Sequence, residues 1–277
     1  MKHFTIDFLD ISLAFTEVGN GENILLCTHG YKQKKEIFTQ LFDDVPKGWK
    51  IVAFDQPMHG ASRWESRHLL FDEVFFSLLW EKLLALYPNA KWYLMGFSMG
   101  GKTAMMLQKT APIPIHKMLF IAPAGIITHP LTHFFSYHYL GSKLFTFFLK
   151  KPHFILPIFE YLNEKKLMRP FSYRFAKAQF EPKENREYML EFVPIYRKFH
   201  FDFEKYAQFL TSHQIEVYVL WGENDEVLPI KQAHYLKKHL PNVHLTILAE
   251  RKHNMIETHR ELVAEWVQNI LAKKELF

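Results

Sequence analysis

Cysteine is nearly missing from this chain. Cys27 stands alone in 277 residues, which excludes an internal disulfide framework and fits a reducing compartment. The thiol lies in an apolar run and is expected to be a core group. Long apolar runs are missing as well. No uncharged apolar stretch of about 18 residues occurs, so no transmembrane helix and no stable membrane insertion are expected. The first ten residues, MKHFTIDFLD, have no apolar signal core, because Asp7 and Asp10 interrupt it. A cytoplasmic protein without a signal peptide is the expectation. Excess charge is also small. The formal +5 is not gathered into a Lys/Arg stripe beside a nucleic-acid motif, so no nucleic-acid partner is expected. Repeats of roughly 20–50 residues and low-complexity segments are absent. The length suits one large α/β domain, or a core with an inserted subdomain.

Glycine is scarce too, at 11 residues, and this makes its clustering informative. Three of the eleven fall in Gly96-Phe97-Ser98-Met99-Gly100-Gly101. Before this turn, Trp92, Tyr93, Leu94 and Met95 read as a short buried strand. After it, Ala104, Met105, Met106 and Leu107 read as a helix. A strand that turns this sharply into a helix crowds its backbone, so residues two positions from the apex must be small. Gly96 and Gly100 meet that need, and Gly101 lets the helix pack close to the sheet. Ser98 then stands at a helix N-terminus, where free N–H groups favour developing negative charge. The pattern is G-x-S-x-G, a nucleophile elbow. A tight turn with a bystander serine would leave the same trace, so the rest of the chain has to decide.

Residues 3–8 and 11–18 read as strands joined by a turn near Leu9-Asp10. Asn23–Cys27 and residues 50–55 are continuous apolar runs, as in strands covered on both faces. Residues 69–86 read as a long apolar helix. His116–Ile121, Ile215–Trp221 and residues 243–249 read as further strands. Helices are expected over 230–239 and from Met255 to Leu271, the last with a buried stripe of Leu262, Trp266 and Ile270 beside Val263, Val267 and Leu271. The alternation argues for a parallel sheet with helices on both faces.

From Ile126 to about Leu210 the pattern changes. The segment is helix-like, broken by prolines and dense in Phe and Tyr between Phe134 and Tyr161, with Lys150-Lys151 and Lys165-Lys166 mixed in. Most of these rings are expected to form the core of a helical subdomain, and some to line an apolar pocket. Its histidines, His129, His133, His138, His153 and His200, have no metal-ligand spacing. No metal and no cofactor are expected.

Acyl transfer by serine needs a nucleophile, a base and a carboxylate that orients the base. Reactive groups collect beyond the carboxyl ends of parallel strands. Ser98, Asp225 and His253 each follow a predicted strand, in the order Ser, Asp, His. Glu223 and Glu226 compete with Asp225, and an acid there could instead cap a helix. His244 and His259 compete with His253, but they fall inside a predicted strand and helix. The backbone N–H groups of Met99 and Tyr31 are the candidate oxyanion donors.

His29-Gly30, Asp55-x-Pro57-x-His59-Gly60-x-Ser62, the Gly96–Gly101 elbow, Gly222-x-x-Asp225-x-x-Leu228-Pro229 and His253, in this order, resemble the α/β-hydrolase family over nearly the whole chain. The resemblance implies an eight-stranded, mostly parallel sheet. It implies a core of residues 1–124 and 213–277 and an inserted helical cap over 125–212. It favours Asp225 as the acid, and Ser98 over the Asp of related dehalogenases and epoxide hydrolases. His29, Gly30, Phe97, Phe134 and Tyr137 are the pocket candidates, with Tyr31 flanking the serine. Asp55 and His59 are expected to hold the loop beside the oxyanion turn. The run Tyr31-Lys32-Gln33-Lys34-Lys35 and Met58 depart from commoner family residues. The activity implied is hydrolysis of a small, fairly apolar ester or acyl substrate. Thioesterase, carbon–carbon bond hydrolase and aminopeptidase chemistry fit the same triad, as does a silent ligand-binding homologue. Acyl group, leaving group and oligomeric state are not specified.

Overall fold

A computed structural model describes residues 1–42, 45–65, 70–128, 130–196 and 198–272, apart from the side chain of Thr132. The chain divides into two compact units, one of residues 1–68, 73–127 and 201–277, the other of 69–72 and 128–200. Of the segment read as helical over 125–212, residues 128–200 fall in the second unit and 201–212 in the first.

Among the described residues, the first unit is built on a sheet of nine strands, which are β1 (Lys2–Phe8), β2 (Ile11–Gly19), β3 (Asn23–Thr28), β4 (Trp49–Phe54), β5 (Arg63–Trp64), β6 (Lys91–Phe97), β7 (Ile115–Ile121), β8 (Glu216–Gly222) and β9 (His244–Leu248). Their order is β1-β2-β4-β3-β6-β7-β8-β9, with the two-residue β5 pairing β2. β1 and β2 form an antiparallel hairpin, β2 runs antiparallel to β4, and every pairing from β4 to β9 is parallel. The continuous apolar runs are the central strands, buried on both faces. The helices of this unit are α1 (Glu36–Thr39), α2 (Glu73–Leu86), α3 (Met99–Thr110), α9 (Phe203–Ser212), α10 (Lys231–His239), α11 (Met255–Thr258) and α12 (Arg260–Ala272). On one face Leu25, Cys27, Ile51, Ala53, Tyr93 and Met95 pack with Val263, Val267, Ile270 and Leu271 of α12. On the other, Trp92 meets Trp80 of α2 edge to face at 5.0 Å. The alternation of side chains along each strand therefore feeds two cores.

Two helices differ from expectation. The helix read over 69–86 begins at Glu73. Phe71 instead donates its N–H to Ile195 O at 3.1 Å and packs its ring at a tilt against Tyr196 and Phe199, so it serves the second unit. The last helix is broken at His259, whose φ of −136° leaves the helical region. The break re-aims the buried stripe. Val263, Val267, Ile270 and Leu271 are buried, while Leu262 and Trp266 are only half-buried.

The second unit is helical, with α4 (Pro130–Tyr137), α5 (Tyr139–Lys150), α6 (Leu156–Glu164), α7 (Pro170–Phe180) and α8 (Lys183–Tyr196). Its prolines mostly start helices. Pro130 and Pro170 open α4 and α7, Pro157 is the second residue of α6, and only Pro194 lies inside a helix. A proline in the first turn removes an N–H that would have had no helical partner anyway. Phe145 and Phe159 both meet Phe180 edge to face at 5.5 Å, and this aromatic set is the unit's interior. His133 lies 5.0 Å from the His200 ring, while His129 falls outside the described residues. Among the described residues no group of three or more His, Cys, Asp or Glu could hold a metal ion.

The loops that follow β3 and β4 are locked together in the first unit. Asp55 is fully buried. Its carboxylate accepts from Lys35 N and Lys35 Nζ, both at 2.8 Å, and from Ala61 N at 2.9 Å. Breaking such a buried pair costs about 3–5 kcal/mol, because the remaining charge is stranded. His29 is fully buried beside it. Its Nδ1–H donates to Gly30 O at 2.8 Å, and its Nε2 accepts from Gln56 N–H at 3.0 Å. An Nε2 that accepts carries no proton, so that contact demands the neutral ring. Burial and then the nearby His59 push the His29 pKa down to about 4.

Between about pH 6.5 and 4 the unfolded chain carries a proton on His29 that the folded chain refuses, so stability rises with pH. The contribution is complete above about pH 6.5 and falls by up to about 3 kcal/mol as pH drops toward 4. Urea midpoints measured from pH 7.5 to 4.5 should fall, and His29→Gln should flatten that slope. A wild-type midpoint independent of pH over this range would contradict the neutral buried ring.

Candidate active site

Ser98 occupies the junction of β6 and α3 at φ 53° and ψ −118°, a region that L-residues rarely adopt. Three backbone hydrogen bonds hold it there. Ser98 N donates to Ile121 O at 3.0 Å, and Ser98 O accepts from Gly101 N at 2.9 Å and Ala124 N at 2.8 Å. A Cβ on Gly100 would collide with the carbonyl oxygen of Thr28, so that position admits glycine only. The turn leaves the Ser98 side chain half-buried at the start of α3.

The loops after β8 and β9 are stitched to one another. Glu223 N donates to Leu248 O at 3.0 Å and Asn224 N to Arg251 O at 2.9 Å. A Cβ on Gly222 would strike Arg251 O. This close approach brings Asp225 and His253 together from positions 28 residues apart. Asp225 is buried, and its Oδ1 accepts from Val227 N at 2.9 Å and Leu228 N at 2.7 Å. Its Oδ2 lies 2.6 Å from His253 Nδ1. His253 Nε2 lies 2.9 Å from Ser98 Oγ. With the carboxylate accepting at Nδ1–H, Nε2 is left as the acceptor for the serine hydroxyl. The Phe97 ring sits 5.1 Å from the imidazole.

The competitors have other partners. Glu223 Oε2 accepts from Glu250 N at 3.2 Å, which ties the same two loops. His244 stacks on Tyr218 at 4.5 Å in β9, and His259 pairs with Thr258 Oγ1 at 2.8 Å.

The candidate oxyanion donors are the first amide of α3, Met99 N–H, and that of Tyr31, which follows Gly30. Gln33 braces that turn, since Gly30 N donates to Gln33 Oε1 at 3.0 Å and Gln33 Nε2 donates to Glu257 at 2.6 Å. Burial pushes the Tyr31 hydroxyl up to about 12, and its ring meets His59 edge-on at 6.2 Å.

The pocket candidates separate. Gly30 lies directly against Phe97, and Phe97 is a core residue with one face toward His253. His29 was expected to line the pocket, but its side chain has no exposed surface and both ring nitrogens serve the loop. Phe134 and Tyr137 are residues of the second unit. Phe134 packs on Phe135 and His138, and the Tyr137 hydroxyl donates to Phe199 O at 3.0 Å.

Four supporting residues escaped the sequence reading. Lys35 and Gln33 sit in a run that reads as solvated charge, and only the buried Asp55 hinted at a cationic partner. Gln56 donates to His29 O at 2.5 Å and accepts from Thr103 Oγ1, which joins the β4 loop to α3. Lys102, one turn after Ser98, is buried with its stem beside Gly125, and burial pushes its pKa down to about 7.

The sequence matches the family described by the alpha/beta hydrolase fold over residues 23–260. It is 21% identical over 277 residues to Uncharacterized hydrolase YugF of Bacillus subtilis, covering 98% of this chain and 97% of that protein. It is 22% identical over 258 residues to monoacylglycerol lipase ABHD6 of Homo sapiens, covering 90% of this chain and 75% of that protein. The solved structure of MGS-M2, an alpha/beta hydrolase from a Medee basin deep-sea metagenome library, superposes with a TM-score of 0.69 at 14% identity, covering 99% of each chain. With the nine-stranded sheet and the strand-to-helix turn at Ser98, these matches establish that the chain belongs to the alpha/beta hydrolase fold family.

Proposed function

We propose that the protein hydrolyses carboxylic esters of fairly apolar acids or alcohols through an acyl-enzyme on Ser98. The observation that carries this reading is the continuous hydrogen-bonded line from Ser98 Oγ through His253 to Asp225, at 2.9 and 2.6 Å. Ser98 Oγ attacks the ester carbonyl carbon as its proton passes to His253 Nε2. The tetrahedral oxyanion forms against the N–H groups of Tyr31 and Met99. His253 then hands the proton to the leaving alcohol, and the C–O bond breaks. Water attacks the acyl-Ser98 ester with His253 as base, releasing the acid and restoring the hydroxyl. Asp225 holds the tautomer and offsets the imidazolium charge. No redox step or added cofactor enters this sequence. The similarity to a monoacylglycerol lipase supports an acyl ester of a fairly apolar kind.

Ser98→Ala should lower ester hydrolysis by about four to six orders of magnitude while the fold survives, since alanine is also small. Turnover near wild type would remove Ser98 from the mechanism. A fluorophosphonate label should attach to the wild type and not to this variant.

Asp225→Asn keeps the shape but stabilises the wrong tautomer, so kcat should fall on the order of ten-thousand-fold, as for the serine-protease aspartate. Glu223→Gln is the paired control. If it proves the more damaging change, the orienting acid is Glu223.

An apolar acyl site gains up to about 0.8 kcal/mol per methylene. That is roughly three- to four-fold in kcat/KM until the site is full. Across p-nitrophenyl esters from acetyl to dodecanoyl, medium-chain substrates should exceed acetate by at least about tenfold. A flat or falling profile from acetyl to hexanoyl would point to a small or polar acyl group.

A further inference from the structure

Helices α5 and α6 carry the same outward pattern twice. On α5 the exposed stripe is Leu140, Leu144, Phe147 and, just past its end, Lys151. On α6 and its lead-in it is Phe154, Ile158, Tyr161 and Lys165. Within each set the spacing is i, i+4, i+7, i+11, which keeps the members inside a helix on one side of it, with a lysine just past each C-terminal end. The stripes touch, because the Phe147 and Phe154 rings stack at 5.5 Å.

These rings are not the core of the unit. That role belongs to Phe145 and Phe159, which turn the other way onto Phe180. Among the described residues, eleven of the eighteen exposed large hydrophobics fall between Leu131 and Phe175. A solvated surface has no need to gather them this way.

Charge is gathered in the same place. Residues 130–180 hold eight Lys and Arg against Glu160 and Glu164, a net of +6 in a chain of net +5. The rest of the chain is therefore slightly acidic. Lys143, Lys150, Lys151, Lys165 and Lys166 are all exposed around the two stripes. Lys143 Nζ lies over the Tyr139 ring at 4.5 Å, and Lys165 Nζ over the Tyr161 ring at 5.9 Å. Long basic side chains beside apolar and aromatic ones can bury their stems and keep their charges in a headgroup layer. No helix among the described residues is long and apolar enough to cross a membrane, so such contact would be parallel to the surface.

We propose that the α5–α6 face docks on anionic lipid bilayers, with Leu140, Leu144, Phe147, Phe154, Ile158 and Tyr161 entering the acyl boundary. The surrounding lysines bind the negative headgroups. Both halves of the surface are needed, since apolar contact alone would be indifferent to lipid charge and charge alone would not require the rings.

Co-sedimentation with vesicles distinguishes these possibilities. The purified protein should pellet with phosphatidylcholine vesicles containing roughly one-third phosphatidylglycerol, and pellet much less with phosphatidylcholine alone. Salt at about 0.5 M should weaken the interaction. Leu144→Ser with Ile158→Ser, and separately Lys143→Gln with Lys151→Gln and Lys165→Gln, should each lower the lipid partition coefficient by at least about tenfold. Far-UV circular dichroism checks that these exposed substitutions leave the helices intact. As a second readout, a polarity-sensitive label on Leu144→Cys should shift to the blue on anionic vesicles, and one on Val74→Cys, exposed on α2, should not. Protein left in the supernatant with anionic vesicles at low salt would overturn the proposal. So would variants that bind like wild type. A concentration-dependent dimer abolished by the leucine and isoleucine changes, with no lipid binding, would assign the face to a second copy of the chain instead.

Discussion

A serine at positive φ between a buried strand and a helix is the constraint around which the first unit is arranged. Such backbone strain costs of order 1–3 kcal/mol and persists only where the surroundings over-determine it. Here the surroundings are specific. The Ser98 peptide is gripped from the end of β7 by Ile121 O and Ala124 N, and from its own helix by Gly101 N. Gly100 allows α3 to press against Thr28. β3, β6 and β7 therefore all contribute to one bond vector, the Cα–Cβ bond of Ser98. The reward is a hydroxyl held clear of the backbone at a helix N-terminus, with an imidazole already within 2.9 Å.

The imidazole comes from a separate piece of construction. His253 and Asp225 lie on loops after neighbouring parallel strands, and those loops bond to each other before they bond to Ser98. On the opposite side, the turn at Gly30-Tyr31 is stiffened by a buried ion pair and a buried neutral histidine. Lys35, Asp55, His29 and Gln56 are all buried, with Lys35 bonded to Asp55 and Gln56 to His29. Loops joined by several such bonds are held in one geometry. Polar groups are thus buried in number here for positional reasons, even though a buried ion pair is itself weak evidence of stability.

Legibility in the sequence followed the range of the interaction. Strands of the parallel sheet read clearly as unbroken apolar runs, because burial on both faces leaves no polar alternation to misread. Ser98, Asp225 and His253 were readable because strand ends in such a sheet share one edge, and the structure brings those three side chains together. Lys35 and Gln33 were unreadable because a lysine-rich run is ordinarily solvated, and only the fold supplies Asp55 and Gly30 as partners. The His259 break was hidden for a similar reason. Met255–Leu271 has acceptable helical periodicity, and only packing decides that it is two helices.

The aromatic segment marks the limit of what composition can convey. Phe145 and Phe147 are two residues apart, as are Phe159 and Tyr161. Two residues on an α-helix turn a side chain by about 200°, so each pair points to nearly opposite sides. Phe145 and Phe159 reach Phe180, while Phe147 and Tyr161 face outward. Aromatic density registers both members of each pair identically. Only the phase of the helix separates them, and that phase is fixed by packing such as the contacts of Phe145 and Phe159 with the Phe180 ring on α7. A unit of this size has too little interior for all of its rings. The excess is nonetheless ordered, because it repeats at a 14-residue interval with a lysine closing each stripe. Random overflow from a small core would leave apolar residues scattered over its surface. Two matched stripes, ringed by five exposed lysines, are a surface with a chemistry of its own.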